Sequence, residues 1–152
     1  MITLHTEKFD DVLAELMPLL RQHYEEIAWK QDKIALNPDL ERYLQLEAAG
    51  MLRIYTAREA GAIIGYAVFC VAQELHYKDI KQAQSDVLYV DPLRRGAMVG
   101  KKLLRDYAEG ELRREGVQDI SLHIKFANDW SKLAEHWGYE KTDILMHKWI
   151  GV

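Results

Sequence analysis

The stretch LYVDPLRRGAMVGKKLL, residues 88–104, concentrates the chemistry this chain is equipped to do. An apolar run stops at Val90, Asp91-Pro92 signals a turn, and a basic loop containing Gly96 and Gly100 opens an amphipathic helix. Unpaired main-chain N–H groups and the positive end of a helix favour a bound anion, and Arg94, Arg95, Lys101 and Lys102 crowd charge around that point. Proton-transfer groups are the second requirement for a reaction there. On the strand that feeds the loop, alternation puts Gln84, Asp86, Leu88 and Val90 on one face, with Asp86 the nearest carboxylate. Glu74 and His76, in the QELHY stretch between two predicted strands, are alternatives that would line a mouth. For all three a solvent-facing or ion-paired role is the competing reading.

The elements that must hold these residues follow from periodicity. ITLHT forms a first strand. From Asp10 to Trp29, Val12, Leu13, Leu16, Leu19, Leu20 and Tyr24 recur at helical spacing, with Pro18 a kink or break. NPDLERYLQLEAAG predicts a second helix, with Asn37 as N-cap, Pro38 at its first position and Gly50 past its end. MLRIYTA, AIIGYAVFCVAQELHY and QAQSDVLYV read as strands. A helix over Val99 to Arg114, the strand QDISLHIKF, the short helix NDWSKLAEHWG and a closing strand DILMHKWI complete the order. The expected class is α/β (α+β), with the basic loop at the C-terminal end of a central strand, where open sheets of this kind bind ligands.

Two familiar phosphate loops do not fit. GAMVGKK has three residues between its glycines and Lys102 where a magnesium-binding hydroxyl belongs, which removes the nucleotide-triphosphatase loop. A dinucleotide loop wants G-x-G-x-x-G after an early strand, and only Gly96 and Gly100 stand here, late in the chain. LYVDPLRRGAMVGKKLL instead resembles the acyl-coenzyme A loop of the GNAT acetyltransferase superfamily, in which a strand ends in V-x-P and an Arg/Gln-x-x-Gly-x-Gly/Ala loop starts a helix. Arg95 takes the Arg/Gln place and Gly100 the last small place, while Met98 stands where the family has its middle glycine. GAIIGYAVF resembles the family's third strand, and GVQDISLHIKFANDWSKLAEHWGYEK its fifth strand, short helix and final turn. LHYKD, SDVLYVDPLRRG, LHIK and HKWIG together resemble the small phage- and prophage-encoded GNAT proteins.

The resemblance implies a GNAT-type acyl-coenzyme A N-acyltransferase fold over residues 1–152 as one domain: a central mixed, mostly antiparallel sheet flanked by about four helices. It implies acetyl-coenzyme A as cofactor. Leu88, Tyr89 and Val90 would hold its pantetheine arm and thioester, and Arg94, Arg95, Gly96, Ala97, Met98, Val99, Gly100 and Lys101 its pyrophosphate. Asn128, at the start of the short late helix, would cap that helix or touch the cofactor. The family's frequent glutamate falls at Gln84 and its acid tyrosine at Ala134, so the base is left to Asp86, Glu74 or His76 and the acid to water or another residue. His123 and Lys125 are either an exposed strand face or ligand contacts. The implied reaction is direct attack by a primary amine of a small molecule, or of a protein lysine or N-terminus. The other class is a catalytically weak GNAT-shaped protein of phage origin that binds acyl-coenzyme A or a protein partner. Glu25, Glu26 and Trp29 lie where the family builds its acceptor wall.

Composition sets the outer bounds. At 152 residues, 49% hydrophobic and 29% charged, the chain can bury one core. A net charge of −4 predicts neither a nucleic-acid nor a membrane-surface partner. A single cysteine, Cys70 in an apolar run, allows no internal disulfide, and the six histidines show no ligand spacing, so no metal is expected. The first residues carry neither a basic segment nor a long apolar one, and a cytoplasmic location is expected. Trp130, Trp137 and Trp149 suit a core or a homodimer interface.

Overall fold

The computed structural model describes all residues, Met1–Val152. Five strands form one sheet in chain order: β1 (Ile2–Glu7), β2 (Leu52–Glu59), β3 (Ala62–Gln73), β4 (Lys81–Val90) and β5 (Asp119–Ser121). The first four pair antiparallel and β5 joins β4 in parallel, as the expected mixed, mostly antiparallel sheet. One face carries α1 (Phe9–Ile27) and α2 (Leu40–Ala48). The other carries a π-helical stretch, Lys101–Ala108, that runs on into α3 (Glu109–Arg114), together with α4 (Ser131–His136).

Two apolar clusters hold the layers together. Phe9, Val12 and Leu16 of α1 meet Leu52, Ile54, Tyr66, Val68 and Tyr89 on one face. Val99, Leu103, Leu104, Ala108 and Leu112 meet Tyr55, Ala67, Phe69, Val71 and Ala83 on the other, joined by the partly buried Trp130 and Trp137. Pro18 does not break α1, because both it and Ala14, whose carbonyl it leaves without an N–H donor, face water.

Several sequence expectations shift. The second helix starts later than Pro38: Asp39 is its N-cap, accepting from the Arg42 N–H at 3.0 Å. Asn128 does not cap α4; Asp129 accepts the Ser131 N–H at 2.9 Å instead. The strand expected over residues 118–126 is reduced to Asp119–Ser121, and residues 143–150 form no strand. A strand needs a ladder partner as well as a period, and β5 is too short to template another. Ile144, Leu145, Met146 and Ile150 are consequently exposed.

The decisive irregularity lies in β4. Val68 pairs with Val87 and Phe69 with Ser85, so Asp86 is the extra residue of a β-bulge. The bulge inverts the phase of the strand. Before it Ala83 packs in the α3-side cluster; after it Val87 and Tyr89 pack on the α1 side and Leu88 and Val90 on the α3 side. Gln84, Asp86, Leu88 and Val90 therefore do not share one face, as uninterrupted alternation predicts.

Candidate active site

Sheet pairing between β4 and β5 covers only Gln82–Gln84 against Asp119–Ser121. A last tie follows, the His123 N–H donating to Ser85 Oγ at 2.9 Å, and the two chains then part. Beyond it β4 continues to Val90 with no strand on its outer side, which opens a wedge in the sheet. Asp91 N–H donates to the Ile64 carbonyl at 2.8 Å, and antiparallel alternation from that bond turns the N–H and C=O of Leu88 and Val90 into the wedge. At its head, the N–H groups of Met98, Val99 and Gly100 meet no acceptor within the chain. Free amides on one strand edge and at one helix start therefore converge on a single opening.

Glycine is what lets this region close up. A Cβ on Gly65 would sit 3.1 Å from the Tyr89 carbonyl and 3.4 Å from Val90, so β3 can approach the end of β4 only without a side chain. Gly100 has more room, 3.9 Å to both Trp137 and Val90. Met98 adopts the left-handed conformation, with φ 59° and ψ 20°, on an exposed turn. The middle place of the loop thus demands the geometry that glycine supplies freely, and methionine holds it at a cost.

On the α1 side, the bulge points Asp86 at α2, where the Tyr43 hydroxyl donates to its carboxylate. Burial first and Asp86 second raise the Tyr43 phenol far above its ordinary range, so it remains a donor. Burial and the same carboxylate raise the Cys70 thiol, which makes it inert near neutral pH. Gln84 meets His123 at 3.2 Å where the strands part. Further along, Tyr89 gives its hydroxyl hydrogen to Gln22 at 2.9 Å and lies 5.3 Å, ring to ring, from His23. Burial holds the His23 imidazole below the usual range; Arg95 and Lys125 push the same way and Glu26 opposes them.

The basic loop is tied down by carboxylates. Arg94 bonds Glu59 at 2.7 Å and Lys101 bonds Asp106 at 2.8 Å. Arg95 donates to the Val90 carbonyl at 3.0 Å and to Glu26 of α1 at 2.8 Å. The structure thus brings Asp86, Leu88, Tyr89, Val90 and residues 94–101 to one wedge. Glu74 and His76 lie elsewhere, in the hairpin between β3 and β4, beyond the Gln73–Lys81 pair and about 16 Å of strand from Asp86. Asn128 sits at the end of a 3-10 turn, Phe126–Asn128, on the rim beyond β5.

Two groups here were not singled out from sequence. His23 continues the α1 stripe of Phe9, Val12, Leu16 and Leu20 at helical spacing, a signal available in the pattern. Tyr43 had no such signal, because its partner Asp86 is reached only through the bulge.

Comparison with known proteins identifies the family. The acetyltransferase (GNAT) family matches residues 13–139, most of the chain. The chain belongs to the GNAT acetyltransferase family. No curated protein matches this GNAT protein by sequence. Among solved structures it resembles a predicted acetyltransferase of Clostridium acetobutylicum with acetyl-CoA (TM-score 0.72, 19% identity, 97% of this chain and 96% of that one). It also resembles an aminoglycoside acetyltransferase from an uncultured soil metagenomic sample (0.75, 15%, 99% and 96%). A third is glucosamine-6-phosphate N-acetyltransferase from Arabidopsis thaliana (0.73, 17%, 99% and 99%). At such identities these likenesses establish the GNAT fold, a mixed five-stranded sheet with helices on both faces. No helix of this GNAT chain is long and apolar enough to cross a membrane.

Proposed function

We propose that the protein is an acetyl-coenzyme A-dependent N-acetyltransferase that acts on a primary amine by direct attack. The observation that carries this reading is the convergence of free main-chain donors, Leu88 and Val90 along β4 and Met98 to Gly100 at the helix start, on one wedge flanked by a carboxylate.

The residues present fit the cofactor. The amides of Met98, Val99 and Gly100 suit a pyrophosphate, with Arg94, Arg95 and Lys101 adding charge and Gly96 and Ala97 leaving the loop open. Leu88, Tyr89 and Val90 offer the extended edge a pantetheine arm requires, and Asn128 flanks its path. Bound there, the thioester supplies an activated acetyl group and a thiolate leaving group. Asp86 accepts the proton that an incoming ammonium must lose, held in place by Tyr43. Glu74 and His76 stand too far along the hairpin for that step. No phenol serves as acid: Ala134 is buried, and Tyr139 gives its hydrogen to Glu109 at 2.9 Å. Water protonates the sulfur, which is tolerable for a thiol pKa of about 8–9.

Aminoglycoside and glucosamine phosphate are the named acceptors of two structural neighbours, and they make small-molecule amines the first class to screen, ahead of protein lysines and N-termini. A cytoplasmic, phage-derived enzyme of one domain completes the reading; its phage lineage is supported by LHYKD, LHIK and HKWIG. A second reading, a GNAT-shaped binding protein without turnover, has Met98 in its favour, because a side chain at that turn stands where the family has none.

Calorimetric titration with acetyl-coenzyme A tests the proposal. Micromolar binding is expected, weakened by Arg95→Ala and abolished by Gly100→Trp, whose ring would fill the head of the wedge. No heat at millimolar cofactor would leave the binding-protein reading.

A further inference from the structure

Arg95 is held differently from its neighbours. Glu59 and Asp106, the partners of Arg94 and Lys101, stand on β2 and on the π-helical stretch itself. Glu26, the partner of Arg95, belongs to α1, the helix that covers the face where Asp86, Tyr43 and Tyr89 gather. The same guanidinium thus bridges the anion-binding loop and the wall across from it. Glu26 is only 25% exposed and makes no ion pair with any other cation of the chain.

A phosphate group competes for this arginine on favourable terms. Guanidinium binds phosphate bidentately and with more opposing charge than one carboxylate offers. The Arg95–Glu26 pair is open to water on the arginine side, and such pairs are worth about 1 kcal/mol, so a pyrophosphate can displace Glu26. Once displaced, Glu26 is a partly desolvated carboxylate that has lost its counter-charge, on the same side of the sheet as Asp86. Resting on the acetyltransferase reading, we propose that Glu26 is the subsite for a second cationic group of the amine acceptor, masked by Arg95 until coenzyme A draws the arginine away. The acceptor is then a diamine-like molecule: one nitrogen is deprotonated near Asp86, and the other stays charged at Glu26. Glu26 stands on α1 and Asp86 on β4, so the two nitrogens of the acceptor must be far enough apart to reach both elements.

The test is calorimetric and needs no turnover. Coenzyme A is titrated into the protein and into Glu26→Gln, then diaminooctane into each with and without saturating coenzyme A, with aminooctanol as the singly charged control. Removing the competitor should tighten coenzyme A binding about two- to fivefold in Glu26→Gln, the equivalent of an exposed ion pair, with the gain shrinking as salt rises. Diaminooctane should bind the unaltered protein better when coenzyme A is present, better than aminooctanol does, and Glu26→Gln should lose both preferences, as linkage requires. Equal or weaker coenzyme A binding by Glu26→Gln, or diamine binding indifferent to coenzyme A, overturns the proposal while leaving the cofactor site standing. Absence of coenzyme A binding in both proteins removes this proposal and the acetyltransferase reading together.

Discussion

Tyr43 and Asp86, 43 residues apart in sequence, share a hydrogen bond across the α2–β4 boundary, phenol donating to carboxylate. Tyr43 is itself held by stacking on Phe9, with centroids 5.1 Å apart and planes at 12°. If Asp86 takes the amine's proton, Asp86→Asn lowers kcat/KM by about 10²–10⁴. Tyr43→Phe keeps the stack and costs less, about tenfold, because it removes only the positioning bond. The double variant should be no worse than Asp86→Asn alone, since both act on one group. Steady-state kinetics on all three variants decides; additive losses would separate the two residues.

Gly65 and Gly100 make opposite predictions for the same substitution. Gly65→Ala presses a methyl onto the Tyr89 carbonyl at 3.1 Å and onto two valines, and β4 must yield. A loss of about 1–3 kcal/mol is expected, with weaker cofactor binding because Leu88 to Val90 move. Gly100→Ala, in right-handed helical geometry and with 3.9 Å to its nearest neighbours, should unfold at a higher denaturant concentration, a gain of about 0.5–1 kcal/mol, because the unfolded chain loses freedom. Urea melts read both.

Met98→Gly relieves a left-handed backbone at φ 59°. The substitution also frees the unfolded chain, which offsets part of the gain. The net expectation is a stabilisation of about 0.5–1 kcal/mol. Met98→Ala, which keeps a Cβ in the same backbone well, should bring no such gain. Thermal melts of the pair test this, and equal Tm values would show that the loop stores no strain there.

His23 gives stability a pH dependence of known sign. Burial lowers its folded-state pKa below the ordinary 6.5, so folding expels a proton. Its contribution is intact above 6.5 and is lost as pH falls through the lowered folded value. His23→Gln should therefore flatten the fall in Tm between about pH 7.5 and pH 5.5, where histidine titrates. Glu7 also loses a favourable charge in acid: burial opposes ionisation, but hydrogen bonds from Arg58 and Thr56 outweigh it, and that loss begins only below 4.5. Parallel Tm curves for parent and variant would show that His23 is solvated.

The sequence alone determined the order of elements as far as the short late helix, though not the closing strand, and the strand–loop–helix junction after Val90. Both are local: apolar spacing marks each helix and strand, and Asp91-Pro92, Arg95 and Gly100 declare a strand–loop–helix junction within ten residues. Tertiary structure decided what the loop faces. The bulge at Asp86 has no signature in alternation, because it is set by how β3 pairs with β4, and it moved Leu88 and Val90 to the opposite face from Asp86. The early parting of β5 from β4 was equally hidden, since LHIK keeps a strand's period after its ladder has ended. Tyr43 against Asp86, His23 against Tyr89 and Glu26 against Arg95 are contacts between segments tens of residues apart. Pattern reports which face a residue is on; only packing decides which residue from another element meets it there.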